Sequence, residues 1–428
     1  MAGGDEAIRR IDAVWRIESP KLIGALARVV GDVGAAEELA QEALVAALEK
    51  WPETGVPDNP GAWLMTTAKN RALDDLRRRK MLRGKHQELG RDLEAEQEAS
   101  GDALAARLER ELDDDVGDDV LRLIFTSCHP VLAREARVAL TLRLLGGLTT
   151  AEIARAFLTP EPTIAQRIVR AKKTLAEAKV PFEVPRGAER GERLASVLEV
   201  IYLVFNEGYA ATAGDDWMRP ELCDDALRLG RVLAGLAPEE PEVHGLVALM
   251  EIQASRARAR TSPSGEPILL LEQDRARWDQ LLIRRGLAAL AKAESLGGAR
   301  GPYALQAAIA ACHARARVAT GTDWAQIAGL YGALAEVTPS PIVELNRAIA
   351  LAMLFGPEAG LKLVDALAGD PALAGYHLLP SVRGDFLFKL GRLDEARKEF
   401  ERAAGMAGNA RERALLLNRA RQTYATSD

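Results

Sequence analysis

The chain has 428 residues, 48% hydrophobic and 28% charged, which is room for two or three domains of ordinary size. Its 56 Lys and Arg against 62 Asp and Glu leave a formal charge of −6, so a uniformly basic coat for nucleic acid is excluded and local charge must decide. Three widely separated cysteines (Cys128, Cys223, Cys312) exclude a disulfide framework and a CxxC zinc pattern, and a cytoplasmic protein is expected because apolar runs such as Ile201 to Phe205 are far too short to span a membrane.

Aromatics make up 5% of the chain, and Ala, Leu and Arg recur at helical spacing with almost no β-branched alternation, which predicts a nearly all-α fold. In chain order, AEELAQEAL (Ala36 to Leu44) sets Glu38, Gln41 and Glu42 within one third of a helix circumference, as a protein-docking face or a merely solvated one. WPETGVPDNPGA (Trp51 to Ala62) is a Pro/Gly loop presenting Asp58 and Asn59, and its Asn-Pro step starts the next helix.

That helix, Trp63 to Lys80, carries six basic residues against two acidic ones. Leu64, Met65, Ala68, Ala72 and Leu76 form one stripe, while Trp63, Thr66, Thr67, Asn70, Asp74, Arg77 and Arg78 face away. An outward Trp beside Asn and Arg suits stacking on unpaired bases and holding of phosphates. Glu88 to Asp119, by contrast, has thirteen acidic residues against three basic and no apolar stripe, so 81–117 reads as a solvated linker.

Between Gly147 and Leu175, Thr149 and Glu152 are spaced as a capping box for a short helix ending near Leu158. Thr159 is placed to cap a second helix, with Pro160 at its first position. Ile164, Ile168, Ala171 and Leu175 form its packing side, opposite Thr163, Gln166, Arg167, Arg170 and Lys173. Short helix, tight turn and basic amphipathic helix are the parts of a helix-turn-helix, although a solvated helical hairpin has the same outline.

A second break falls at Val180 to Gly191, after which Ala/Leu-rich helices run to the end. Gly384, Leu387, Ala396, Phe400 and Ala403 occupy the small and large positions of a tetratricopeptide repeat, and Ala348, Leu351, Gly360, Val364 and Leu367 repeat them 36 residues earlier. Such pairs stack into an α-solenoid whose concave face suits a protein or peptide partner. In IYLVFNEGY (Ile201 to Tyr209), Asn206, Glu207 and Tyr209 have three readings: interdomain contact, ligand contact or helix capping; the first is the expectation. Cys128-His129 and Cys312-His313 are helix neighbours pointing about 100° apart, so no metal is expected. No nucleophile elbow, phosphate loop or paired carboxylates suggest an enzyme, and no cofactor is implied.

These pieces, in this order, resemble the extracytoplasmic-function (ECF) type of sigma-70 factor over roughly 10–180, and LIFTSCHPVL (Leu123 to Leu132) with IYLVFNEGY resembles its subgroup with a C-terminal tetratricopeptide-like extension. The resemblance implies sigma region 2 at 10–80, region 4 at 118–180 and the helical extension at 191–428. It implies that Glu38, Gln41 and Glu42 bind the β′ clamp helices of core RNA polymerase, with the β flap as a second polymerase contact. Asp58, Asn59, Trp63, Thr66, Asn70, Asp74, Arg77 and Arg78 would hold the single-stranded minus-10 element, and Thr163, Gln166, Arg167, Arg170, Lys172 and Lys173 the minus-35 duplex. Leu158 and Pro160 depart from the family's Gly and Ser at the turn, and Ala165 from an often basic residue. The expected function is promoter-specific initiation, modulated in cis by the extension; the alternative is a stand-alone helix-turn-helix regulator or tetratricopeptide adaptor.

Overall fold

The computed structural model describes residues 2–71 and 116–425. The described residues form α-helices, short 3-10 turns and two isolated bridges, Gly214 with Asn409 and Thr261 with Pro267. The all-α expectation holds, and among the described residues no helix is long and apolar enough to cross a membrane. Two compact units divide between Val200 and Ile201, inside the helix Gly187–Tyr209.

The first unit opens with two long helices, Ala2–Val30 and Val33–Thr54. Ile11, Trp15, Leu22, Ile23 and Leu26 give the first its buried stripe, and Ala36, Ala40, Ala43 and Ala47 give the second a stripe of small residues that lets the two pack closely. Gly31, at φ +75°, makes the corner, and Asp32 caps the second helix by accepting from the Ala35 N–H at 2.7 Å. A third helix covers 60–71.

Val116–Ser127, Arg134–Leu144, Thr150–Ala156 and Glu161–Glu177 follow in the same unit. The first of these packs on Ala2–Val30, and a Cβ on Gly24 would come within 2.8 Å of the Asp119 carbonyl oxygen. The first half of Gly187–Tyr209 also belongs here. Arg193 donates to the Phe125 carbonyl at 3.0 Å, Ser196 to that of Cys128 at 2.6 Å, and Arg137 pairs with Glu199 at 3.2 Å.

In the second unit each helix from Pro241–Ala254 through Ala410–Ala425 packs on a chain neighbour. Gly360 and Gly384 are the close approaches of two successive pairs. A Cβ on Gly384 would meet the Phe400 ring at 2.9 Å, and one on Gly360 the Ala352 Cβ at 2.6 Å. Ala348, Val364, Leu387, Ala396, Phe400 and Ala403 are fully enclosed around them, while Leu351 and Leu367 are half-buried. This unit also joins its late and early segments. Asn409 donates to the Asp216 carbonyl at 2.8 Å, and the Ala410 N–H to that of Gly214 at 3.0 Å.

Candidate nucleic-acid interface

The capping box forms in full. The Thr149 hydroxyl accepts from the Glu152 N–H at 3.1 Å, and the Glu152 carboxylate accepts from the Thr149 N–H at 2.7 Å. Burial would raise the Glu152 carboxyl, but Thr149, Arg16 and Arg155 outweigh it and hold it below the usual glutamate value. Arg16 of the first helix reaches this carboxylate at 3.0 Å.

The turn corrects one expectation. Leu158, which stands where the resembling family has Gly, adopts φ +47°, a left-handed conformation that glycine takes without strain. The chain there turns the Thr159 hydroxyl to the Phe157 carbonyl at 3.1 Å, so Thr159 does not cap. Pro160 is the N-cap without a side-chain bond, and the helix begins at Glu161 with Pro162 still in its first turn.

Ile164, Ile168, Ala171 and Leu175 are the buried residues of this helix, as their spacing predicts. On the other side Gln166, Arg170 and Lys173 are exposed and Thr163 and Arg167 half-buried. Val169, 65% exposed, lies in the same row, and the polar pattern gave no reason to single it out. Lys172 is turned elsewhere: its ammonium pairs with Glu37 of the second helix.

Glu37 is the residue that sequence reasoning passed over. It is 2% exposed, on the stripe of Val33, Ala36 and Ala40, and is held by Arg143 at 2.6 Å, by Lys172 and by the Gln41 amide. A carboxylate on an otherwise apolar stripe was the available signal. Of the expected polymerase-docking residues, Glu38 and Glu42 are exposed, Glu42 with a loose 4.0 Å pairing to Arg71, whereas Gln41 is spent on Glu37.

In the loop and third helix, Asp58, Asn59, Thr66 and Asn70 are exposed. The Asn59 side chain accepts from the Ala62 N–H at 3.0 Å, starting the helix as its Asn-Pro step implies. Thr66 donates to the Ala62 carbonyl at 2.9 Å. Trp63, expected to face outward, is instead half-buried, edge-to-face on the buried Trp51 at 5.2 Å. Asp74, Arg77 and Arg78 lie outside the described residues, as do most of the acidic linker and the ends of that stripe, Ala72 and Leu76.

Within the second unit, Glu207 pairs with Arg219 and accepts from the Thr212 hydroxyl at 2.8 Å, and Tyr209 lies 3.5 Å beneath the Arg260 guanidinium. Asn206 bonds the Tyr202 hydroxyl, which burial drives above its ordinary pKa. The cysteines are thiols in protein contacts: Cys128 Sγ is 3.3 Å from Thr141 Oγ1, and Cys312 Sγ 3.2 Å from Gln326 Oε1.

Three known families match successive stretches of the chain. Sigma-70 region 2 matches residues 15–81, sigma-70 region 4 matches 122–175, and a family of unknown function (DUF6596) matches 193–294. An uncharacterised protein of Rhizobium meliloti (strain 1021) is 44% identical over 407 residues, 95% of this chain and 94% of that protein. The probable ECF RNA polymerase sigma factor SigI of Mycobacterium tuberculosis is 27% identical over 180 residues, covering 42% of this chain and 59% of its own length. No solved structure matches the chain.

Proposed function

Because the chain belongs to the ECF sigma-70 family, with a C-terminal extension matching DUF6596, we propose that it binds core RNA polymerase and selects the promoters at which it initiates. It is a transcription initiation factor rather than an enzyme. The observation that carries this reading is the open row Gln166, Val169, Arg170 and Lys173 on a helix entered through a capped short helix and tight turn. Gln and Arg there suit base edges of the minus-35 element, and Val169 suits a thymine methyl. Glu38 and Glu42 are the exposed acidic residues offered to the β′ clamp helices; Asp58, Thr66 and Asn70 are offered to the opened minus-10 strand.

Lys172 separates this reading from that of a stand-alone regulator. With its ammonium on Glu37, the face offered to duplex DNA lacks one of its cations, which favours recognition that depends on polymerase. The C-terminal unit acts in cis on that activity and takes a protein or peptide partner. In vitro transcription from fragmented genomic DNA, with core polymerase alone and with this protein, tests the proposal. New transcripts sharing a minus-35 and minus-10 pair are expected; no new transcript together with tight duplex binding in the absence of polymerase would reverse it.

A further inference from the structure

The second unit contains a concentration of arginine that neither promoter recognition nor polymerase docking uses. Between 256 and 285 the chain has seven Arg against four acidic residues, in a protein whose overall charge is negative. Two one-turn 3-10 segments, Ala257–Ala259 and Arg275–Arg277, border a cleft of about 790 Å³ lined by Arg258, Thr261, Arg277, Trp278, Asp279 and Gln280. That volume is in the range of small-molecule sites.

Arg258 and Arg277 are exposed, and among the described residues neither guanidinium has a hydrogen bond or ion pair within the protein. Trp278 is 3% exposed, and two more guanidiniums, Arg256 and Arg275, approach its ring at 5.9 and 5.0 Å. Arg256 also faces Tyr209 at 5.6 Å, on which Arg260 is stacked. Among the described residues none of these five arginines pairs with a carboxylate. Arg275 is spent on the carbonyls of His313 and Ala316 and the Thr322 hydroxyl, and Arg256 bonds only the Gln253 amide, at 3.3 Å.

The carboxylate at the cleft, Asp279, is already engaged, accepting from the Leu281 and Leu282 N–H groups as the N-cap of Gln280–Ser295. Two carboxylates of this unit, by contrast, are each met by two cations: the buried Glu251 by Arg231 and Arg285, and the half-buried Asp385 by Arg419 and Lys389. Cations gathered without a carboxylate among them repel one another, a cost that an anion joining them removes.

We propose that this cleft binds a small organic oxyanion, a phosphate ester or a polycarboxylate, gripped by Arg258 and Arg277 over Trp278 in the field of Arg256 and Arg275. The planar guanidinium fork matches both anions, so the two sources share one chemistry. Burial first and then Arg256 lower the Arg275 pKa, and burial first and then Arg256 and Arg275 push His313 down to about 4. The site does not depend on the promoter reading.

The test is calorimetric titration of the full chain with inorganic phosphate and, separately, with citrate, at fixed ionic strength. Saturable binding of phosphate alone assigns a phosphate ester, and of citrate alone a polycarboxylate. In either case the Arg258→Gln/Arg277→Gln double variant weakens binding by about tenfold or more, since two charge-assisted bonds are lost. An Arg300→Gln control, an exposed arginine on a different helix connection, leaves it unchanged. Binding of neither anion, equal binding by the double variant, or binding of duplex DNA through Arg258 and Arg277 without either anion overturns the proposal.

Discussion

At the residue scale, Glu37 decides more than the sequence suggests. It is the shared anion for Arg143, more than a hundred positions away, and for Lys172 on the basic helix, so it ties region 2 to region 4 within one compact unit. Glu37→Gln keeps the shape and removes the charge, leaving two cations without a counterion; a loss of about 3 kcal/mol in urea unfolding is expected. The same substitution frees Lys172, so affinity of the isolated protein for minus-35 duplex should rise, read by fluorescence anisotropy at low salt. His313 gives the pH dependence. Its folded pKa of about 4 lies below the ordinary histidine value of about 6.5, through burial first and then Arg256 and Arg275. The folded state therefore binds fewer protons than the unfolded one between those values. Stability from this residue is complete above pH 6.5 and lost as pH falls towards 4, by at most about 3 kcal/mol; His313→Asn should flatten that part of the stability curve.

At the element scale, the helices legible in the sequence are those whose apolar spacing and caps agree. Ile164, Ile168, Ala171 and Leu175 pack as their spacing requires, and the Thr149–Glu152 box closes. Thr159 has the residue type of a cap but not its role, because capping depends on backbone dihedrals that a neighbour dictates, here Leu158 at φ +47°. Helical phase alone places Trp63 outward, since it cannot register Trp51, from the preceding helix, closing over one edge. The left-handed conformation costs an L-residue roughly 1–2 kcal/mol, partly offset by the greater unfolded-state freedom of glycine. Since Leu158 is 54% exposed and has little packing to lose, Leu158→Gly should stabilise the protein by about 0.5–1 kcal/mol in thermal unfolding. Thr149→Ala should cost about 1 kcal/mol in the same measurement, because the Glu152 N–H loses its acceptor.

At the scale of the whole molecule, composition shifts locate the sigma-like pieces, but no composition change marks where one compact unit ends. The Pro/Gly break at Val180 to Gly191 looks like a boundary, yet the helix that follows begins by packing on the first unit. Arg193 enters a buried bond to Phe125 and Ser196 one to Cys128, while Val197 and Val200 are fully enclosed. Only from Ile201 onward does the chain belong to the second unit. A helix crossing a unit boundary is invisible to a reading that equates breaks with boundaries, since its stripe continues without interruption. A chain ending at Val200 should therefore be more stable than one ending at Arg190, by at least about 2 kcal/mol from the two buried hydrogen bonds alone. Comparison of their urea midpoints and slopes checks this, and equal midpoints would mean that residues 191–200 contribute nothing to the first unit. The longer truncation is then the right form in which to ask what the extension does. If the extension acts in cis, removing 201–428 changes transcript yield from a cognate promoter while the sigma unit remains folded; the shorter truncation would confound lost regulation with lost stability.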